Sequence, residues 1–239
     1  MEDEKNNFKV VFNFYKTITP PSNFNSFLEG WRHLGKYVET LDHFVCAHLL
    51  KNTSTKGLFP YVNFATFKGP VERIVKDMTE PTQELVQALI EGHGLPGHQI
   101  NHPGGYIELA TNNNLPLAPD LPARMGSTFI VMAYQTVETD ECDTADFEAN
   151  WADHCGLNEI QQYLSKNEKN LGRYGIYKRF TPLRPFHSFA YVFRCELVDV
   201  DREDSNLSQL VDKLQKLETP KGFTRVDTGV YFVEHVSPK

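Results

Sequence analysis

Near its start the chain reads Phe8-Lys9-Val10-Val11-Phe12-Asn13-Phe14-Tyr15. Aromatic and β-branched residues favour the pleated backbone of a β-strand. A run of the same character, Phe129-Ile130-Val131-Met132-Ala133-Tyr134, opens the second half. The two runs end alike, in Tyr15-x-Thr17-Ile18 and Tyr134-x-Thr136-Val137. The sequence therefore predicts that the two halves begin with equivalent strands.

The segments after these strands also correspond. Each strand precedes a helix with the pattern F-x-x-x-W, as Phe27…Trp31 and Phe147…Trp151. Two strands are predicted next, then a second helix, then a closing strand. The predicted strands are Phe44–Leu50, Tyr61–Phe67 and Gly104–Ile107 in the first half, and Tyr174–Phe180, Ser188–Leu197 and Gly229–Phe232 in the second. The second helices are Gln83–Glu91 and the segment around Leu207–Leu217. The element order is thus βαββαβ, twice.

A segment rich in asparagine and proline separates the halves. It reads NNNLPLAPDLPARMG, and proline removes backbone donors and fixes φ. The sequence therefore predicts a first ferredoxin-like repeat over 1–111, a linker over 112–126 and a second repeat over 127–239.

The alternation along the strands predicts how the repeats pack. Phe8, Val10, Phe12 and Phe14 share one face of the first strand, and Val11, Asn13 and Tyr15 share the other. Neither face is wholly polar, so both must be covered. Helices cover one face. We predict an α+β fold in which the two sheets pack against each other through their remaining faces.

Charge and composition limit the classes of binding partner that we expect for this chain. The formal net charge is −7, and no cluster of Lys and Arg is present, so nucleic acid and anionic membranes are not expected partners. No apolar run approaches the length of a membrane-spanning helix, and the N-terminus is acidic rather than signal-like. The four cysteines are scattered, which favours a reducing compartment, namely the cytoplasm.

Two ferredoxin-like units packed sheet to sheet make the dimeric α+β barrel. The element order and aromatic pattern from about Phe8 to Val236 resemble a fused, single-chain version of that superfamily. It includes antibiotic-biosynthesis-type monooxygenases, haem-degrading monooxygenases, stress-responsive barrel proteins and chlorite dismutase-like haem proteins. The resemblance implies a ligand cavity between sheet and helices.

Two branches of the superfamily imply a haem. The haem-degrading branch uses an Asn on the first strand, here Asn13, a Trp near the end of the third, here Phe67, and a helical His, whereas His93 lies just past the predicted helix. The sequence does not favour that branch. The chlorite dismutase-like branch implies that His154 could ligate haem iron, and the alternative is a surface histidine beside Asp153. No other cofactor or metal is predicted.

Other polar residues remain open to two interpretations. His93, His98 and His102 lie within ten residues of one another, but their spacing matches no zinc template, so a solvated loop is the favoured interpretation. His48 is predicted on a strand, on the same face as Phe44, Cys46 and Leu50. It is either a core residue, which is the favoured interpretation, or an acid or base in a pocket.

The leading hypothesis is a barrel that binds a small apolar or aromatic molecule, with cofactor-independent monooxygenase chemistry as an option. The expected ligand-binding residues are Asn13, Tyr15, Trp31, His48, Tyr134 and Trp151, with His48, Tyr15 and Tyr134 as candidate catalytic residues. The alternatives are a haem protein and a non-catalytic barrel that contacts other proteins. Whether the chain is an enzyme stays open, and a monomer or weak homo-oligomer is expected.

Overall fold

A computed structural model gives the fold. It describes residues 8–16, 18–20, 22–94, 101–112, 127–137, 144–181, 189–201 and 203–238. Apart from Asn112, the predicted linker 112–126 lies outside these residues, so the boundaries of the two repeats stay a prediction. The first half contains β1 (Phe8–Tyr15), α1 (Phe27–Val38), β2 (Phe44–Asn52), β3 (Tyr61–Lys68), α2 (Val71–Thr79), α3 (Gln83–His93) and β4 (Asn101–Thr111). The second half contains β5 (Thr128–Thr136), α4 (Thr144–Ala149), α5 (Trp151–His154), α6 (Leu157–Lys166), β6 (Asn170–Arg179), β7 (Tyr191–Val198), α7 (Ser205–Gln215) and β8 (Phe223–Pro238).

The eight described strands form one closed antiparallel barrel. Their order around it is β1-β3-β2-β8-β5-β7-β6-β4, and β4 returns to β1. Each half therefore contributes its strands in the same order. The first strand of each half lies between the closing strand and the third strand, and the third strand pairs in turn with the second. That is the ferredoxin-like arrangement. The predicted α+β barrel class is confirmed.

The closing strands join the halves, and both are longer than predicted. The first part of β8 pairs with β5, and its last part, from Tyr231, pairs with β2 of the first half. In the same way β4 pairs with β1 up to Tyr106 and then with β6. One strand thus serves two neighbours in turn, and no sheet edge is left exposed at either junction.

Aromatic side chains fill the barrel interior. Phe12 of β1 lies edge-on to Phe64, Tyr106 and Tyr177, with ring centroids 5.1–5.3 Å apart. Arg194 is also buried there, its guanidinium 4.3 Å from the Phe64 ring and 4.1 Å from the Phe129 ring. The prediction for the faces of β1 is confirmed, since Val10, Phe12 and Phe14 point inward while Val11 and Tyr15 meet the helices.

The structure corrects the predicted face of Phe44. A β-bulge between Phe44 and Cys46 shifts the register of β2 against β3. One extra residue turns the following side chains to the opposite face. Phe44 therefore packs under the helices, whereas His48 and Leu50 face the barrel interior.

The helices also differ from their predicted bounds. The second helix of the first half continues to His93 and is capped by Gly94, with φ of 89°, instead of stopping before Gly92. Helix α2 was not predicted, although Val71, Ile74, Val75 and Met78 have helical spacing behind Pro70. The single helix expected around Phe147 and Trp151 is divided in the structure. Asn150 separates α4 from α5, and Gly156, in a left-handed conformation, separates α5 from α6. None of the helices in the described residues is long and apolar enough to cross a bilayer.

Candidate functional site

A cavity of about 420 Å³ lies between the sheet of the first half and α1, α2 and α3. Its walls are mostly apolar. The strand residues are small at its centre, where Ala47 of β2 and Ala65 of β3 are direct cross-strand partners. Methyl groups leave open space that larger side chains would fill.

Comparison of the two halves explains why the cavity is in the first. Tyr15 of β1 and Tyr134 of β5 occupy equivalent positions in the shared sequence pattern, and the strand registers then relate the other positions of the two halves. The positions of Asn13, Asn63, Ala65 and Ala47 then correspond to Met132, Phe193, Cys195 and Tyr174. The second half thus carries larger or apolar side chains at each position, and these belong to its packed core.

A polar group lines one end of the cavity. The Tyr15 hydroxyl lies 3.3 Å from Nε2 of His93, and both side chains are more than nine-tenths buried. Asn13 lies two residues before Tyr15 on the same face of β1. Its buried Oδ1 has no hydrogen-bond partner among the described residues. Opposite Asn13 stands Asn63, whose Oδ1 accepts from Nε1 of Trp31 at 3.3 Å.

Burial sets the protonation of this pair. It lowers the pKa of His93 to about 4, because a charged imidazolium would lose its hydration. It raises the pKa of Tyr15, against a smaller opposing effect of hydrogen bonding from Asn13. At neutral pH the ring is therefore uncharged and the phenol keeps its proton. The Tyr15 hydroxyl donates to Nε2 when the ring proton is on Nδ1.

Helix packing fixes the position of His93 at the end of α3. The Thr82 hydroxyl caps that helix by accepting from the Leu85 N–H at 3.2 Å. Near the other end, Gly92 packs so closely on α1 that a Cβ there would lie 2.7 Å from the Gly30 carbonyl oxygen. His93 therefore has little freedom to move away from Tyr15.

A guanidinium from the second half reaches the same end of the cavity. Arg179 at the end of β6 lines it, and donates to the carbonyls of Pro103 and Thr181 at 3.0 and 3.1 Å. Its positive charge is fixed in place by these bonds. A negative charge that develops on a bound molecule nearby would be stabilised.

The structure brings only some of the predicted site residues together. Asn13, Tyr15 and Trp31 line the cavity. His48 instead stacks on Phe64 inside the barrel, where burial and the Arg194 charge lower its pKa to about 3. Tyr134 and Trp151 belong to the core of the second half.

The three histidines near the end of the first half do not share one site. His93 and His102 are buried, so the favoured interpretation, a solvated loop, is wrong for both. They lie in α3 and β4, on opposite sides of the sheet, since His102 packs on Phe59 and Phe189 of the barrel interior. His98 lies outside the described residues. Within those residues no group of His, Cys, Asp or Glu is arranged to hold a metal ion.

The residues around His154 do not fit a haem. Nε2 of His154 lies 3.5 Å from a carboxylate oxygen of Asp146, and the ring stacks on Phe147. Phe147 is fully buried against Tyr191 and Phe223, at 4.6 and 4.7 Å between ring centroids. Among the described residues around His154, the space between sheet and helices is thus occupied by side chains.

Several residues that line the cavity were not predicted from the sequence. His93 lies just past the predicted end of the second helix at Glu91, whereas in the structure that helix continues through His93. Asn63 and Arg179 are on predicted strands, but one strand gives no indication of which cavity its side chains line. Asp77 is on α2, which the helical spacing behind Pro70 could have revealed.

Comparisons with known proteins place the chain in a family. A family model described as "Domain of unknown function (DUF7153)" matches residues 44–224. The chain belongs to this family. No curated protein matches the DUF7153 chain in sequence.

Solved structures share the fold of the DUF7153 chain at low identity. A protein assigned as a chlorite dismutase, TA0507, is 13% identical with a TM-score of 0.54, over 96% of this chain and 95% of that one. An anthrone oxidase-like protein is 12% identical with a TM-score of 0.52, over 96% and 92%. A protein of Fusobacterium nucleatum assigned as a monooxygenase is 8% identical with a TM-score of 0.51, over 98% and 95%. These likenesses confirm the predicted fold, an α+β barrel.

Proposed function

We propose that the cavity binds a small aromatic molecule, and that Tyr15 and His93 remove a proton from it so that molecular oxygen can oxidise it. One observation carries this proposal: a buried tyrosine–histidine pair, 3.3 Å apart, at one end of a cavity with mostly apolar walls. Apolar walls favour an aromatic skeleton, and a few polar groups fix its orientation. The monooxygenase and anthrone oxidase-like fold relatives support the same reaction class.

The proposed chemistry is a proton relay. The Tyr15 oxygen takes a proton from an acidic CH₂ group of the substrate while the Tyr15 proton passes to Nε2 of His93. A neutral ring can accept this proton, and burial keeps His93 neutral. Arg179 stabilises the carbanion that forms.

Oxygen then completes the reaction. The carbanion adds to O₂ to give a peroxide anion, which recovers the proton held by His93. The resulting hydroperoxide loses water and leaves a carbonyl group. One CH₂ group and one O₂ thus give one C=O and one water, so that the substrate itself supplies the electrons.

The test uses anthrone, a tricyclic ketone whose CH₂ group is acidic. We expect the protein to accelerate O₂ uptake, with anthraquinone formed in equal amount and followed by its absorbance. Replacing a general base lowers rates by about 10²–10⁴-fold, which is the loss expected for His93→Gln. His102→Gln is the matched control, because that histidine is equally buried but lies on the other face of the sheet. Equal rates in both variants would remove His93 from the mechanism.

A non-catalytic barrel is the second candidate, because the barrel interior is filled with side chains. Saturable binding of anthrone without O₂ uptake would favour a ligand carrier. Absence of both binding and uptake would favour a protein that acts through protein contacts.

The cytoplasm stays our proposed compartment. Cys46, Cys155 and Cys195 are free thiols in the structure. Free thiols persist where the surroundings are reducing.

A further inference from the structure

The end of the cavity opposite Tyr15 and His93 carries a second polar pair. His43, just before β2, is 95% buried, and its Nε2 lies 2.8 Å from Oδ2 of Asp77 on α2. Both atoms are buried, yet the contact is not aligned as a hydrogen bond. Both residues line the cavity. Two buried polar atoms without a satisfactory bond are expected to gain free energy when a ligand supplies one.

The surroundings hold this pair in place. Nδ1 of His43 lies 3.2 Å from the Asp42 carboxylate, which in turn accepts from Arg73 at 2.5 Å. The His43 ring also packs on Phe67 of β3, with centroids 5.5 Å apart. Asp77 itself has about a third of its side chain exposed, so its carboxylate keeps positions where further hydrogen bonds can be accepted.

The strand register gives the separation of the two polar ends. Phe67, which contacts His43, pairs with Lys9, and Lys9 is six residues from Tyr15 on the same strand. At about 3.3 Å per residue, the two ends are about 20 Å apart along β1. Val11 and Ala65, which pair with each other between these two ends, line the cavity, so its middle is apolar.

We propose that His43 and Asp77 form a second binding subsite, which recognises a hydroxyl group at the far end of an elongated aromatic ligand. This inference rests on the proposed function, since it describes the ligand of the same cavity. The ligand class is a rod-shaped aromatic molecule with a polar group at each end: one at Tyr15 and His93, and a hydrogen-bond donor facing the Asp77 carboxylate.

The experiment compares two probes that differ by one hydroxyl group. Titration calorimetry is run on the full chain with the mono-4-hydroxy and the 4,4′-dihydroxy forms of trans,trans-1,4-diphenylbutadiene, because the dihydroxy form with a hydrogen bond at each end spans about 20 Å. A hydrogen bond to a charged group is worth about tenfold or more in affinity, so the dihydroxy compound should bind at least about tenfold more tightly. In Asp77→Ala we expect this ratio to fall to about one, with the affinity for the monohydroxy compound unchanged.

Glu72→Gln serves as the control variant. It removes an acid from the same helix, and Glu72 is exposed and does not line the cavity. It should keep the affinity ratio of the native chain. A ratio near one in the native chain, or a ratio that survives Asp77→Ala, would overturn the subsite while leaving the cavity as a binding site. Failure of both probes to bind would overturn the subsite and the proposed cavity together.

Discussion

Burial shifts the pKa values of three ionisable side chains. The pKa of His93 falls to about 4 and that of His48 to about 3, because imidazolium is poorly solvated in the interior. Burial also raises the pKa of Asp227 to about 6, against the opposing effect of a hydrogen bond from Tyr231. His93 faces a cavity, so its neutral ring is available to a ligand. The ring of His48 is packed on Phe64 inside the barrel, where the same neutrality affects only stability.

The buried histidines should make the protein sensitive to acid. An unfolded histidine titrates near 6.5, so between about pH 6.5 and 4 the unfolded chain binds more protons than the folded one. Stability is therefore lost as the pH falls through this window. We expect His48→Gln to reduce the loss of unfolding free energy between pH 7 and 4.5 by a few kcal/mol. Urea unfolding at both pH values measures this, and equal losses in the native chain and the variant would contradict it.

Asp227 should act in the opposite direction. Its folded pKa lies above the unfolded value of 3.8, so it contributes stability at low pH that is lost as the pH rises through about 6. Asp227→Asn keeps an acceptor for the Tyr231 hydroxyl and removes the buried charge. We expect it to raise the unfolding free energy by about 1–3 kcal/mol at pH 8 and hardly at pH 4. A gain of equal size at both pH values would show that the charge is not responsible.

At the scale of elements, the cavity exists because three helices cover the sheet incompletely. The close contact between α1 and α3 at Gly30 and Gly92 sets the position of His93. Farther along α1, Gly35 lines the cavity where a side chain would otherwise fill it. Helix α1 thus contains Gly30, which packs against α3, and Gly35, which lines the cavity.

Alanine at Gly35 and at Gly92 should have opposite effects. A Cβ at Gly35 would meet only Ser237 Oγ at 3.4 Å, so we expect Gly35→Ala to add about 0.5–1 kcal/mol of stability through helix propensity. A Cβ at Gly92 would lie 2.7 Å from a backbone oxygen, and we expect Gly92→Ala to cost about 1–3 kcal/mol. Thermal and urea unfolding compare the two. Destabilisation by both would contradict this prediction, because it would mean that the cavity wall at Gly35 of α1 tolerates an added methyl group no better than the contact at Gly92 of α3.

At the scale of the whole molecule, the two halves complete one barrel. The junctions are formed by β8 with β2 and by β4 with β6, and aromatic residues of both halves meet inside. A single half would expose two strand edges and one aromatic face of its sheet. The internal junctions supply an interface that a single repeat would need a partner to obtain, so a monomer or weak homo-oligomer stays our prediction.

Separated halves should therefore depend on each other. We expect fragments 1–112 and 127–239 to aggregate or self-associate when produced alone, and to form a 1:1 complex with native-like circular dichroism when produced together. Size-exclusion chromatography with light scattering gives the masses. A monomeric fragment with cooperative unfolding would contradict the need for barrel closure.

Local pattern carried enough information for the architecture. The alternation in Phe8–Tyr15, the F-x-x-x-W helices and the matched element order predicted the α+β barrel, because strand and helix periodicity are properties of neighbouring residues. Of the predicted ligand-binding residues, Asn13, Tyr15 and Trp31 line the cavity. Prediction from the sequence was wrong where a single residue decides the face of a strand or the end of a helix. The bulge after Phe44 reversed a face of β2, and the extension of α3 past Gly92 turned a supposed loop histidine into a buried one.

The amino-acid sequence by itself determined the eight described strands, most of the described helices, and the burial of both faces of the sheet. Only the tertiary structure decided where the cavity is. That choice depends on volumes at positions far apart in the chain, such as Ala47 with Ala65 in the first half against Tyr174 with Cys195 in the second. The meeting of Tyr15 with His93, 78 residues away, depends in the same way on helix packing. Contacts between distant residues are set by how whole elements pack, and no local pattern records them.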